Sequence, residues 1–215
     1  MNLLKTSVLA SFLLFGLSCS RSPEDARKEL GKMNVEYSSA SFMKSIMNGD
    51  TVAAKLFVEA GMPLNEEYEI EVGGSKEKLT PLILALTPKF GKIEIAHLFL
   101  DNGADVNKYI YSVNAYGQKL NLISHSPLST AFGNDKFDKQ ERKKLILKII
   151  EKSADVTGFE HDELNWAVQE GDPEIVKAML KKGAKVTKTV LEDAERAKTR
   201  PNGNEIYGMV KSASP

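Results

Sequence analysis

Residues capable of catalysis or metal binding are few and scattered in this sequence. His97, His125 and His161 show no pairing at helical spacing, and Cys19 is the only cysteine among 215 residues. One thiol can form neither an internal disulfide nor the usual multi-thiolate zinc site. Residues 73–76 (Gly-Gly-Ser-Lys) lack the first glycine and the spacing of a phosphate-binding loop, and no serine lies in a nucleophile elbow. We therefore expect no enzymatic activity, no metal and no cofactor.

The first 18 residues have the three parts of an export signal. Lys5 supplies the positive charge, residues 8–17 form an apolar run, and small residues follow at Gly16 and Ser18. The apolar run is shorter than the roughly 20 residues that a membrane-spanning helix needs. We predict that residues 1–18 are a signal peptide and that the protein is exported.

Cys19 stands where this leader ends. Residues 15–19 (Phe-Gly-Leu-Ser-Cys) resemble the cleavage site of bacterial lipoproteins, although Gly16 stands where that family prefers a branched aliphatic residue. The resemblance implies cleavage just before Cys19 and lipidation of its thiol, with acyl chains such as palmitate. Several acyl chains together give stable anchoring. Ser20 rather than Asp follows, which by the same resemblance implies the outer membrane. The alternative is ordinary cleavage near Ser18 or Ser20, which gives a soluble periplasmic or secreted protein.

The charge balance argues against a nucleic-acid partner. The chain has 29 basic and 29 acidic residues, and loss of Lys5 with the leader leaves 28 basic ones. Nucleic-acid-binding proteins show a basic stripe, and attraction to anionic lipid also requires excess positive charge. Hydrophobic residues make up 42% of the chain, which is enough to form a core.

A short phrase recurs four times along the chain. It reads Gly-Met-Pro-Leu at 61–64, Gly-Ala-Asp-Val at 103–106, Ser-Ala-Asp-Val at 153–156 and Gly-Ala-Lys-Val at 183–186. Before each copy, four apolar residues share the spacing of one helix face. They are Ala53, Ala54, Phe57 and Val58, then Ile95, Ala96, Phe99 and Leu100, then Leu145, Ile146, Ile149 and Ile150, and last Ile175, Val176, Met179 and Leu180. The glycine then ends the helix, because it tolerates the left-handed conformation.

Another helix is predicted before each of these. The openings Thr80-Pro81-Leu82, Ser126-Pro127-Leu128 and Asp162-Glu163-Leu164 each start with a good N-cap residue, followed in two cases by proline at the first helical position. Asp50 and Asp172 are positioned to cap the helices that carry the apolar stripes. The repeating unit is therefore a pair of short antiparallel helices with a glycine stop.

This unit resembles the ankyrin repeat. Thr80-Pro81-Leu82 and residues 103–107 (Gly-Ala-Asp-Val-Asn) match the opening and the close of that family's unit, and the resemblance covers about residues 40–186. It implies an all-α repeat solenoid, an ankyrin-like stack of helix-turn-helix units with extended β-hairpin fingers. The histidine of the family's opening is replaced by Met43, Ile83, Ser129 and Asn165. The family's Thr–His hydrogen-bond network is therefore missing.

The same interpretation divides the chain into four parts. Residues 1–18 are the signal peptide, 19–35 a lipid-anchor linker and N-terminal capping helix, 36–187 about four repeats, and 188–215 C-terminal capping helices. Ser22 is predicted to cap the first helix, and Thr189 to cap a helix that ends at Ala197, before a turn at residues 201–204.

Two connections between repeats are longer than the family's spacing requires. Residues 66–78 alternate between acidic and apolar side chains up to Gly73-Gly74, which predicts a β-hairpin with a two-residue turn. Its apolar members Tyr68 and Ile70 are predicted partner contacts. Glu67, Glu69 and Glu71 are interpreted as a solvated strand face rather than a cation site.

Residues 109–120 form the second long connection, which is aromatic and β-prone with a turn predicted near residues 114–117. Tyr109, Tyr111 and Tyr116 either pack finger against finger or form a contact surface, since tyrosine supplies large and stiff contact area. With Asn114, they are included among the predicted partner contacts.

A row on the first helices faces the concave side of the family's fold, at Lys44, Leu84, Thr130 and Trp166. Leu84 and Trp166 are predicted partner contacts on this row. The alternative for Trp166 is that it shields the last core layer.

These observations predict a membrane-tethered protein–protein interaction module of the bacterial envelope. An unknown protein partner binds the fingers and the concave groove, and the module is a monomer anchored through Cys19. One alternative is an envelope protein that binds a small ligand or glycan. Another is a protective subunit for an envelope enzyme.

Overall fold

The computed structural model describes residues 21–72, 75–108, 110–113, 119–152, 154–156 and 163–214, with the side chains of residues 72, 75, 110–113 and 119–125 excepted. Within these residues the chain forms eleven α-helices and two β-hairpins. None of the described helices is long and apolar enough to span a bilayer.

The helices and strands follow one another in pairs. The helices are α1 (Pro23–Lys32), α2 (Ser39–Met47), α3 (Thr51–Glu59), α4 (Pro81–Leu86), α5 (Ile93–Asp101), α6 (Pro127–Phe132), α7 (Lys139–Glu151), α8 (Glu163–Glu170), α9 (Pro173–Lys181), α10 (Lys188–Arg196) and α11 (Gly203–Ala213). The strands are β1 (Tyr68–Val72), β2 (Ser75–Leu79), β3 (Ile110–Val113) and β4 (Lys119–His125). A 3-10 turn, Ala197–Thr199, follows α10.

Each helix pair packs against the next pair in sequence. The first helices α2, α4, α6, α8 and α10 contact one another in that order, and the second helices α3, α5, α7, α9 and α11 do the same. Helix α1 packs on α3 and so closes the N-terminal end of the second-helix layer. Helices α10 and α11, in the segment predicted to cap the array, form a fifth pair.

Side-chain caps begin the helices at the predicted residues. Ser22, Asp50, Thr80, Ser126 and Asp172 each accept a hydrogen bond from a backbone N–H in the first turn of the helix that follows. These bonds satisfy amides that have no partner within the helix. Proline occupies the first turn of α1, α4, α6 and α9, where its missing N–H costs nothing.

Glycine ends the second helices as predicted. Gly61, Gly103 and Gly183 have φ angles of 86°, 85° and 93°, the left-handed region that side chains disfavour. Ser153, which stands at the same place in the third copy of the phrase, lies outside the described residues.

Two local predictions are corrected by the structure, and one further cap is found. The cap of α10 is Thr187, two residues before the predicted Thr189. Helix α2, for which no cap was predicted, is capped by Ser38. Helix α11 already begins at Gly203, within the predicted turn, where a Cβ would collide with the carbonyl oxygen of Ala197.

The predicted apolar stripes form the core. All sixteen stripe residues are buried except Val58 and Leu180, which are half-buried. Phe42 of α2 is the centre of an aromatic cluster, with ring centroids 5.2 Å from Phe57, 5.7 Å from Phe99 and 6.0 Å from Tyr68. One ring therefore joins α2 to α3, α5 and the first hairpin, and burial of such a side chain contributes about 2–3 kcal/mol.

Two asparagines connect neighbouring units by hydrogen bonds. Asn65 donates from Nδ2 to the carbonyl oxygen of Gly103 at 3.1 Å, and its Oδ1 accepts from the N–H of Asp105 at 2.7 Å. Asn107 accepts in the same way from the N–H of Asp155 at 2.7 Å. The asparagine that follows each of the first two copies of the phrase therefore links that copy to the next one.

The two hairpins are separate two-stranded antiparallel sheets. In the first, Val72 pairs with Ser75 and Tyr68 with Leu79, which is the register that a two-residue turn requires. In the second, Ile110 pairs with His125 and Val113 with Lys119, with an irregularity between Tyr111 and Val113. The predicted turn residues 73–74 and 114–117 lie outside the described residues.

Asn65→Ala should lower the free energy of unfolding by about 1–2 kcal/mol, because it removes two inter-unit hydrogen bonds. Asn48→Ala is the matched control, since this exposed asparagine has no side-chain partner among the described residues. Urea denaturation followed by circular dichroism measures both. Equal stability of the two variants would contradict the role assigned to Asn65.

Candidate partner-binding surface

The first hairpin lies against the helices rather than projecting freely. Strand β1 contacts α2, and Tyr68 and Ile70 are only 7% and 6% exposed. The Tyr68 hydroxyl donates to the carbonyl oxygen of Pro63 at 2.7 Å, and burial, reinforced by the nearby Glu66 carboxylate, raises the pKa of Tyr68 to about 12. Both side chains are used in packing this hairpin on α2, and their role as partner contacts stays a prediction.

The other face of this hairpin is charged and exposed. Glu69 and Glu71 stand opposite Lys78 and Lys76 in the strand register, and the Nζ of Lys76 lies 2.7 Å from Glu69 Oε1. That hydrogen bond lowers the pKa of Glu69. The acidic row is thus a solvated strand face whose charges are offset across the hairpin.

The second hairpin carries most of the other predicted contacts. Tyr111 pairs through its backbone with Ser124 in β3 and β4, and its side chain is outside what the structure describes. Tyr109, Asn114 and Tyr116 also lie outside the described residues. Their role as partner contacts stays a prediction, as does that of Cys19 as the lipidation site.

The row of residues on the first helices is exposed only towards its ends. Lys44 is exposed, whereas every residue of α4 and α6 is buried. Leu84 is 0% exposed, because α4 is only six residues long and is packed against α2, α5 and α6. Its role as a partner contact stays a prediction. Thr130 is also buried, and its hydroxyl donates to the carbonyl oxygen of Ser126 at 2.7 Å.

Trp166 is the aromatic residue of this row, and it is exposed. Its side chain belongs to α8 and is 39% exposed. The ring packs edge-to-face on Phe132 of α6, with centroids 6.2 Å apart and an interplanar angle of 84°. Phe132 was not identified from sequence, and its position at the end of a six-residue helix gave no periodic signal. The ring of Trp166 is thus supported from one side and open to solvent on the other.

A polar cluster between α6 and α8 stands where the Thr–His network of the family is missing. Ser126 and Ser129 form a reciprocal capping box at the start of α6. The Ser126 hydroxyl donates to Oε1 of Glu163 at 2.7 Å, which links α6 to the next first helix. Glu163 is only 4% exposed, and burial raises its pKa to about 7. Sequence reasoning missed this carboxyl because its partner lies 37 residues away.

His97 lies at the boundary of the core. It is half-buried, and its Nδ1 lies 3.5 Å from the Nζ of Lys148. Burial lowers the pKa of His97, and the charge of Lys148 lowers it further. Among the described residues, no group of three or more His, Cys, Asp or Glu side chains could hold a metal ion.

Comparison with known families identifies one unit of the array. A family model of the ankyrin repeat matches residues 77–109, which run from β2 through α4 and α5 to the second hairpin. The comparison with curated proteins finds no match. The chain therefore contains an ankyrin repeat, and its mostly helical structure fits an ankyrin-like helical repeat. Ankyrin repeats generally mediate protein–protein interaction and are typically non-enzymatic, which implies a protein partner.

The buried carboxyl of Glu163 should make the protein less stable as the pH rises. The pKa of Glu163 is about 7 in the folded state, whereas its ordinary value of 4.5 applies to the unfolded chain. Between pH 4.5 and pH 7 the folded state therefore binds more protons than the unfolded state. The contribution of Glu163 to stability is then fully present below pH 4.5 and is lost as the pH rises through about 7. The expected loss between pH 5 and pH 8 is about 2–3 kcal/mol.

Glu163→Gln should remove this slope, because the amide stays neutral at both pH values. Urea denaturation of the two proteins at pH 5 and pH 8 measures the difference, and comparison with the parent cancels the titration of His97. Glu67→Gln, which changes an exposed carboxylate on the first hairpin, should keep the parent's slope. The same slope in all three proteins would contradict the assignment.

Proposed function

We propose that this protein is a lipid-anchored protein–protein interaction module of the bacterial envelope, built as an ankyrin-like solenoid. The observation that carries the proposal is the partly exposed Trp166, presented by the first-helix layer on a rigid support. Tryptophan is enriched among the residues that dominate binding energy at protein interfaces. The ankyrin repeat at residues 77–109 supports a protein as the partner.

The proposed contact surface combines Trp166 with the second hairpin. Strand β4 ends at His125, and α6 begins two residues later at Pro127. The same short helix carries Phe132, on which Trp166 packs. Helix α6 therefore holds both the base of the hairpin and the tryptophan. In this proposal the two parts of the contact surface keep a constant position relative to each other. Tyr109, Tyr111, Asn114 and Tyr116 are the hairpin residues in this proposal.

The proposed anchor is the thiol of Cys19, in the outer membrane. Helix α1 begins at Pro23, and four extended residues span at most about 14 Å. The helix is fixed to the array: Arg21 pairs with Glu59 at 2.9 Å, and Arg27 donates to the carbonyl oxygen of Ala60 at 3.2 Å. A lipid on Cys19 would thus hold the array close to the bilayer. A soluble periplasmic or secreted protein is the alternative.

The small-ligand or glycan alternative needs a pocket with convergent polar groups. Among the described residues near the second hairpin, the aromatic ring of Trp166 lies on the face of α8. Such a surface favours a protein as the partner. A protective subunit for an envelope enzyme would use the same contacts and is one form of the same proposal.

Trp166→Ala and a triple variant with Tyr109, Tyr111 and Tyr116 changed to serine should each weaken capture of the partner from the native envelope. We expect at least a tenfold loss for the tryptophan variant, since hot-spot residues contribute about 2 kcal/mol or more. Quantitative mass spectrometry of the captured proteins measures the effect.

Val52→Ser is the matched control, because Val52 is an apolar side chain that is 60% exposed on α3, away from this surface. Circular dichroism verifies that each variant is folded. If both surface variants retain every captured protein at the level of the control, the proposed contact surface is wrong.

Cys19→Ser should abolish incorporation of palmitate and release the protein from the membrane fraction. Because the chain has a single cysteine, a clickable palmitate analogue attached through a thiol reports on this residue alone. Intact-mass analysis of the purified mature protein gives the start of the chain and the mass of any acyl groups. An unmodified mature terminus at or after residue 19 would overturn the anchor.

A further inference from the structure

A groove runs between α9 and α11 on the outer side of the second-helix layer. It has a volume of about 670 Å³ and a largely apolar floor that includes Leu180 and Met209. Helix α9 turns Ile175, Val176 and Met179 into the core, so its groove residues lie on the neighbouring face. The groove therefore belongs to the side of the array opposite the first helices and Trp166.

The rim of this groove carries a small excess of positive charge. Lys177 and Lys181 line it one turn apart on α9, and neither forms an ion pair with any described residue. The nearby Lys143 contrasts with them, since its Nζ lies 2.9 Å from Asp172 and 2.8 Å from Glu174. Glu205 is the one acidic residue that lines the groove within the described chain. Two cations against one anion favour an acidic occupant.

Gly208 of α11 forms part of the groove without an intramolecular need for glycine. A Cβ at this position would meet no heavy atom within 4 Å, in contrast to Gly203, where it would collide with Ala197. Glycine inside a helix costs about 0.5–1 kcal/mol relative to alanine. Its backbone lies beside the apolar floor of the groove, where it allows close approach of another chain.

We propose that this groove is a second docking surface, which binds an acidic amphipathic helix of a partner protein. The apolar side of that helix would cover Leu180 and Met209, and its carboxylates would pair with Lys177 and Lys181. A furrow between two packed helices is the shape that receives the side-chain ridge of a third. Helix α11 has 11 residues, about 16 Å, so the contact spans about three helical turns.

A peptide-binding experiment on the full mature protein tests this surface. The probe is a fluorescein-labelled amphipathic peptide of about four turns, with leucine on one face and glutamate on the other. Fluorescence anisotropy should show saturable binding, and the peptide with lysine in place of glutamate should bind at least tenfold more weakly.

Gly208→Tyr should weaken binding of the acidic peptide at least tenfold by filling the groove, with no loss of fold, since the site is open and glycine is the poorer helix former. Gly31→Tyr is the matched control, because Gly31 is a helical glycine with equally open space at the other end of the array, and it should bind like the parent. The double variant Lys177→Glu, Lys181→Glu should bind the acidic peptide more weakly than the parent does and the basic peptide more tightly.

Three results would overturn the proposal. One is a loss of specificity: the parent protein binds the acidic and the basic peptide equally, or the Gly208→Tyr and Gly31→Tyr variants bind the acidic peptide with equal affinity. Another is Gly208-dependent binding to phosphatidylglycerol vesicles without binding of the peptide, which would assign the groove to a membrane surface. The third is Gly208-dependent self-association in sedimentation, which would assign it to a second copy. Each is independent of Trp166 and of the second hairpin.

Discussion

No helix pair of this protein can bury its apolar stripe without a neighbour. Each second helix is apolar on one face only, and residues such as Ile95 and Phe99 reach full burial through the helices on both sides of their own. The two ends of the array are closed differently: the single helix α1 packs on α3 at one end, and the pair α10–α11 packs on α8 and α9 at the other. The helix pairs stack in sequence order, the helices are short, and glycine ends the second helices at recurring positions. Each of these features allows every pair to bury its stripe against the next pair.

The parts of the fold that could be predicted are those that short-range patterns determine. Caps, first-turn prolines, the left-handed glycines and the stripe residues all follow from contacts within about four positions of the chain. The cap of α10 was misplaced by two residues because Thr187 and Thr189 both follow the last phrase. The local pattern offers two equivalent hydroxyls there, and in the structure Thr187 is the one that accepts from the N–H of Val190.

The candidate site was harder to predict because long-range packing decides which side chains remain exposed. Alternation correctly gave the strands of the first hairpin, yet it could not tell that the apolar face would lie on α2 and bury Tyr68. The burial of Leu84 was not predictable for a related reason, since a six-residue helix between two neighbours has no free face. Glu163 could not be recognised as buried, because the serine that binds it belongs to the previous unit.

The asparagine bonds bridge very different lengths of chain. Asn65 reaches Asp105 across 40 residues, and Asn107 reaches Asp155 across 48, with nearly the same 2.7 Å geometry. The same inter-unit hydrogen bond therefore forms with different lengths of chain between the bonded residues, provided that the inserted chain leaves and re-enters the array at the same points. The hairpins can then change in length and composition while the scaffold keeps its spacing. The protein is therefore suited as a scaffold into which recognition loops can be grafted at the hairpins.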